Sequence, residues 1–206
     1  VYSTNSFPKG AGLASSASSF AALAAASTKA LGLNLSPQEL SIFARFGSGS
    51  ATRSVLGGAV QWNKGEKEDG SDCVAEQLAP KENFPNLRNV IAITEKEEKK
   101  VGSREGMART VSTCGYYPQR LKEVEGRLET VRDALLDFNF QKLAPVIMEE
   151  SDSMHRSMRE SNPPLIYLNN TSHKIMNAVK ELNSQNDEYV GTYTFDAGPN
   201  AHIYTL

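Results

Sequence analysis

Phe7–Ser19 reads FPKGAGLASSASS and runs directly into an alanine-rich, nearly uncharged stretch, Phe20–Leu31. Gly10 and Gly12 allow the backbone to turn, and the paired hydroxyls of Ser15 and Ser16 stand at the entrance of a predicted helix. Amide N–H groups without intrahelical partners, side-chain hydroxyls and the positive end of a helix dipole then meet in one place, which is what an anion requires. A Gly/Ser loop before an alanine helix also serves as a plain turn with a tight helix contact, so this segment alone leaves both readings standing. Two further segments bear on the choice: RFGSGSATRSVLGG at Arg45–Gly58 and TFDAGPNA at Thr194–Ala201.

Around these segments the chain alternates helices and strands. The first helix is expected to end at Gly32, and Ser36-Pro37-Gln38-Glu39 is a capping box with proline at the first helical position. The helix that follows should turn Leu40, Phe43 and Ala44 inward and stop at Gly47. Ala59–Trp62 and Cys73–Gln77 read as strands flanking a solvated turn, 64–71, and the prolines of Leu78–Asn86 mark a boundary. Beyond it, Asn89–Thr94 has the β-branched density of a buried strand, and EKEEKK at Glu95–Lys100 reads as a solvated loop rather than a binding tail. Leu121, Val124, Leu128, Val131, Leu135 and Phe138 recur at steps of three and four, which predicts an amphipathic helix packed on a sheet. A second helix should continue from Phe140 to Met158 with a kink or break at Pro145, and a third should cover Ser172–Leu182. Tyr189–Phe195 and Ala201–Leu206 are strands joined by Asp196-Ala197-Gly198-Pro199-Asn200. The pattern is α+β, with one region over 1–85 and another over 86–206.

Composition bounds the function. With 206 residues, 39% of them apolar, real cores can form, and a net charge of -2 gives no reason to propose a nucleic acid or an anionic membrane as partner. Any phosphate binding must therefore be local. Two cysteines, Cys73 and Cys114, lack CxxC spacing, so neither a disulfide framework nor a zinc site is indicated and a cytoplasmic setting is expected. Ala11–Leu31 is too rich in Ser and Thr for a membrane span and reads as a buried helix. His155, His173 and His202 have neither metal-ligand spacing nor a nucleophile partner, and His155, beside Met154 and Met158 on a helix, reads as packed or surface rather than catalytic.

In their order and separations the three opening segments resemble the mevalonate diphosphate decarboxylases of the GHMP small-molecule kinase superfamily. The resemblance runs from Asn5 to Leu206 and takes in GGAVQW at Gly57–Trp62, REGM at Arg104–Met107 and NPPLIYLN at Asn162–Asn169. It implies a GHMP kinase fold, with a ribosomal S5 domain 2-like ATP-binding region followed by a ferredoxin-like region. The family's N-terminal part, including its first substrate-binding strand, has no counterpart here, so the chain is expected to be a portion of a longer enzyme.

Such enzymes use ATP and Mg2+ to phosphorylate the tertiary 3-hydroxyl of mevalonate 5-diphosphate. Phosphate and carbon dioxide then leave together to give isopentenyl diphosphate, a step of isoprenoid and sterol biosynthesis. By resemblance, Gly10, Ala11, Gly12, Leu13, Ala14, Ser15 and Ser16 form the ATP-phosphate loop, with Ser16 also catalytic. Lys9, in the same loop, reads as solvated. Ser48, Gly49 and Ser50 contact the substrate, and Arg53 binds its carboxylate, a role suited to a planar guanidinium whose charge persists without water. Ser103 and Arg104 match positions that hold the substrate diphosphate in bacterial members, and Asp196 matches the catalytic aspartate. On chemistry alone, Asp196 is either a general base or an orienting group for the hydroxyl, or else an ordinary turn aspartate before Gly-Pro. The resemblance also implies a homodimer. Two rivals stay open: a kinase of the superfamily that phosphorylates without decarboxylating, and an inert chain that acts by interaction only.

Overall fold

Helix α1 (Ser15–Ala30) begins at the hydroxyl pair and is capped by Leu31, one residue before Gly32. The structure is a computed structural model that describes residues 2–7, 9, 12–97 and 99–206. By its contacts the chain divides into two units, Val1–Pro8 with Ala14–Pro85, and Lys9–Leu13 with Asn86–Leu206.

In the first unit, α2 (Pro37–Gly47) starts with the expected capping box: Glu39 N–H donates to Ser36 Oγ at 3.2 Å, and Ser36 N–H donates to Glu39 Oε2 at 2.8 Å. A four-residue helix that the periodicity had not suggested, α3 (Ala51–Ser54), completes a three-helix cluster centred on Ala21, Ala44 and Ala51. Small side chains let these helices approach closely, and this overturns one expectation. Phe43 is exposed, while Ser41 and Ala44 face inward. Ser41 is buried because its Oγ accepts the N–H of Ala75 at 3.1 Å, tying the helix to the neighbouring strand. That strand, β2 (Ala75–Ala79), begins two residues later than expected and pairs antiparallel with β1 (Ala59–Trp62). A 3-10 turn at Lys81–Asn83 follows.

The second unit is built on an antiparallel sheet of order β3-β5-β4, from β3 (Arg88–Ala92), β4 (Thr192–Phe195) and β5 (Ala201–Thr205). The segment expected to be a buried strand, Asn89–Thr94, is instead largely exposed: β3 is an edge with only β5 beside it among the described residues, and Val90, Ile91 and, just past its end, Ile93 present surface. Against the other strands lie α6 (Phe140–Arg159) and α7 (Asn170–Ser184), around a core of Met148, Leu168, Val179, Tyr193, Phe195 and Ala201. Pro145 does not break α6. It sits in the second turn and forfeits only the helical bond to the Gln141 carbonyl.

Two further helices, α4 (Ser103–Thr113) and α5 (Tyr117–Leu136), precede α6. α5 packs mainly on α6 rather than on the sheet, and its periodic Leu121 and Leu128 are exposed. The reason is the polar seam between the helices: Arg127 meets Glu123, Glu149 and Glu150, and Tyr116 donates to Glu123 at 2.6 Å. Phe138 falls beyond the helix, in a left-handed conformation, and is exposed. No helix among the described residues is long and apolar enough to cross a membrane.

Candidate active site

In the first unit the GSGS segment joins α2 to α3 and brings three hydroxyls into a row. Ser16 Oγ lies 3.3 Å from Ser48 Oγ, which lies 3.2 Å from Ser50 Oγ, and in each pair either oxygen can donate. Ser16 stands in the opening turn of α1, which has no acidic residue and, among the described residues, no side-chain cap at Ala14. Its N-cap, Ala14, is left-handed (φ 56°), a strained conformation for a residue with a Cβ and one that clusters at functional sites. Hydroxyls, a helix start and its dipole therefore converge on one spot, an arrangement suited to phosphate oxygens. Gly49 is held under the ring of Trp62, where an added Cβ would come within 2.9 Å of the indole. Thr52 Oγ1, buried, donates to the Gly49 carbonyl at 2.6 Å and fixes the loop. The exposed Arg53 places its guanidinium 5.9 Å from the centre of the same indole.

In the second unit Asp196 is an exposed carboxylate on a buried stem. Phe195 before it is 1% exposed and Asn200 after it 0% exposed. The turn between β4 and β5 is pinned from three sides. Asn200 Oδ1 accepts the N–H groups of Thr94 (2.7 Å) and Glu95 (3.0 Å), and its amide donates to the Glu95 carbonyl at 2.9 Å. Ser172 Oγ and Thr94 Oγ1 donate to the Pro199 carbonyl at 2.7 and 3.1 Å. Gly12, with φ of +74°, lies against the turn itself, where an added Cβ would come within 2.7 Å of Gly198 Cα. Part of the predicted phosphate loop thus touches the aspartate turn. Leu13 beside it is buried and Lys9 is exposed, while Gly10 and Ala11 lie outside the described residues.

The loop expected to be merely solvated supplies a cation. Lys99 Nζ donates to the Ala197 carbonyl at 2.8 Å and to Ser103 Oγ at 2.7 Å, and lies 5.5 Å from the centre of the Tyr167 ring. Burial holds its ammonium below the usual lysine range, and the charge of Asp196 partly opposes that shift. Ser103, which opens α4, is thereby joined to the Asp196 turn, and Arg104 beside it is exposed. Tyr167 donates to the Val101 carbonyl at 3.1 Å and braces the loop. The sequence carried no sign of which lysine in EKEEKK turns inward, nor that Asn200 anchors the turn.

Fold and candidate site together define an α+β protein of the GHMP kinase type, with a hydroxyl-lined helix start in one unit and a carboxylate on a pinned turn, with an ammonium bonded to that turn, in the other. Comparison with known proteins narrows this. The profile of the mevalonate 5-diphosphate decarboxylase C-terminal domain matches residues 89–206, and that of the diphosphomevalonate decarboxylase-like N-terminal domain matches residues 1–75. The chain belongs to the mevalonate 5-diphosphate decarboxylase family.

It is 46% identical over 205 residues to the diphosphomevalonate decarboxylase of Candida albicans, covering 99% of this chain and 56% of that protein. A crystal structure of mevalonate 5-diphosphate decarboxylase superposes with a TM-score of 0.93 at 41% identity, over 98% of this chain and 52% of the other. A complex of MDDEF with MVAPP, AMPPCP and magnesium superposes with a TM-score of 0.86 at 39% identity, over 96% of this chain and 59% of the other. The chain spans about half the length of the curated relatives it matches.

Proposed function

We propose that the protein of which this chain is a part carries out ATP-dependent decarboxylation of mevalonate 5-diphosphate to isopentenyl diphosphate. The observation that carries the reading is Asp196: an exposed carboxylate at a strand end, on a turn whose neighbours are buried and hydrogen-bonded, with the Lys99 ammonium alongside. Such a group is held ready to take the proton of a hindered tertiary hydroxyl, or to aim that hydroxyl, without reorganising.

The remaining roles follow from chemistry at each position. The start of α1 with Ser15 and Ser16, together with Gly10–Ala14, binds the phosphates of ATP. Ser48, Gly49 and Ser50 hold the substrate, and Arg53, steadied against Trp62, grips its carboxylate. Ser103 and Arg104 take the substrate diphosphate. As the γ-phosphoryl group moves to the 3-oxygen, the hydroxyl proton passes to Asp196 or on to solvent. The C–C bond to the carboxylate then breaks, its electron pair forms the alkene, and the C3–O bond breaks to release phosphate. Lys99 places positive charge where phosphoryl transfer gathers negative charge. Among the described residues no three carboxylate, His or Cys side chains cluster as a metal cage. Mg2+ binds mainly through phosphate oxygens and water and would there offset phosphate charge. A cytoplasmic homodimer serving isoprenoid and sterol synthesis completes the reading.

The test is carbon dioxide release from mevalonate 5-diphosphate with ATP and Mg2+, comparing the complete enzyme with its Asp196→Asn variant. The variant should bind both substrates and lose roughly a thousandfold in rate. A wild-type rate would sink the assignment of Asp196, and phosphorylation without carbon dioxide from the parent enzyme would make it a kinase.

A further inference from the structure

Phe195 is the last residue of β4 and the one before Asp196, and α6 holds both of its backbone polar groups. Its N–H donates to Ser151 Oγ at 3.1 Å, and its carbonyl accepts from His155 Nε2 at 3.3 Å. Ser151 and His155 are four residues apart, so they stand one above the other on a single face of α6, and each is 3% exposed. A carbonyl can only accept, so Nε2 carries the proton and the tautomer is set by this bond. The imidazole also meets the Phe195 ring edge-on, with centroids 6.2 Å apart and planes at 86°, which leaves it little freedom to turn.

The Phe195 carbonyl and the Asp196 N–H belong to one planar peptide unit. Fixing that plane fixes the line of the Asp196 N–Cα bond, and the pinned turn beyond limits rotation about it, so the two together set the direction in which the Cα–Cβ bond leaves the strand. We propose that His155 is a positioning residue for the reaction: its imidazole holds the Phe195–Asp196 peptide, next to the Thr194–Phe195 peptide held by Ser151, and so aims the Asp196 carboxylate. The inference rests on the reading of Asp196 as the reacting carboxylate. A neutral imidazole suits the task, since an imidazolium would stabilise the aspartate as an anion and weaken it as a base. Burial, followed by the charge of Arg159, outweighs the opposing Phe195 and Asp196 backbone bonds and Asp152, and pushes His155 down to about 4.

The experiment compares His155→Leu with His155→Gln in the complete enzyme, alongside Asp196→Asn. Leucine keeps volume and removes the donor, whereas the glutamine amide reaches about as far as Nε2. His155→Leu should lower kcat by ~10- to 100-fold with KM for ATP and for mevalonate 5-diphosphate unchanged, the size expected for a slightly misplaced reacting group. His155→Gln should restore kcat to within about threefold of the parent, and a merely structural histidine would not give this split. A parental kcat in His155→Leu, or equal impairment of the Gln and Leu variants, overturns the proposal while Asp196→Asn stays inactive. If His155→Leu does not fold, His155→Asn takes its place, polar but too short to reach the carbonyl, and a parental kcat there overturns the proposal equally. An active Asp196→Asn enzyme would instead remove the reading on which the inference stands.

Discussion

The Lys99 ammonium donates to the Ala197 carbonyl at 2.8 Å, which fastens a lysine from the 95–102 loop to the residue immediately after Asp196. The same nitrogen donates to Ser103 Oγ, so one cation connects the start of α4 with the aspartate turn.

Lys99→Met keeps the length of the side chain and removes the charge and both bonds. Turnover should fall by roughly a hundredfold, about 3 kcal/mol of lost electrostatic stabilisation, with a modest fall in thermal midpoint. Because burial lowers the Lys99 pKa, the parent's alkaline loss of activity should begin below the range of an ordinary lysine and vanish from the variant's profile. A pH series of kcat checks this, and an unchanged alkaline limb in Lys99→Met would dissociate the lysine from catalysis.

Arg53→Ala should leave ATP affinity nearly intact and cost on the order of 2 to 4 kcal/mol in turnover, the loss of a charged partner to a substrate carboxylate. Its guanidinium stands beside Trp62, outside the helix cluster, so the fold should tolerate the change. Single-turnover chromatography can show whether phosphorylated substrate builds up. Undiminished carbon dioxide release would rule out the clamp.

Stability should follow the protonation of His155. Its folded pKa is about 4 against an ordinary 6.5, so between these values the unfolded chain binds a proton that the folded chain does not. Stability therefore rises with pH across this window, is full above pH 6.5 and is lost as pH falls towards 4, by roughly 3 kcal/mol at most. Chemical denaturation of the parent and His155→Gln at steps through this range should show a steeper acid loss in the parent. Parallel curves would mean that the imidazole is not the titrating group.

Most of the helices and the β4–β5 hairpin were legible because they rest on local rules: the Ser36–Glu39 box, the three-four spacing before Leu135, and a tight DAGPN turn between β-branched runs. Phe43 and the β3 residues were misjudged because hydrophobicity reports what a side chain favours, while burial depends on which surface arrives opposite it. The hydroxyls of Ser16, Ser48 and Ser50 were readable as candidates, but their meeting in a row depends on how α1 and α2 pack through alanines. Lys99, Asn200 and His155 act through hydrogen bonds to main chain distant in sequence, a kind of contact with no periodic or compositional trace.

Gly12 and Gly198 approach backbone to backbone, with no side chain between them. A gap lined by side chains can be retuned by swapping a rotamer or trimming a methyl, but this one has nothing left to remove. The spacing between Gly12 and the aspartate turn is thus closed to gradual adjustment: a methyl at Gly12 would pry the two segments apart in a single step, and trimming a side chain could not draw them closer.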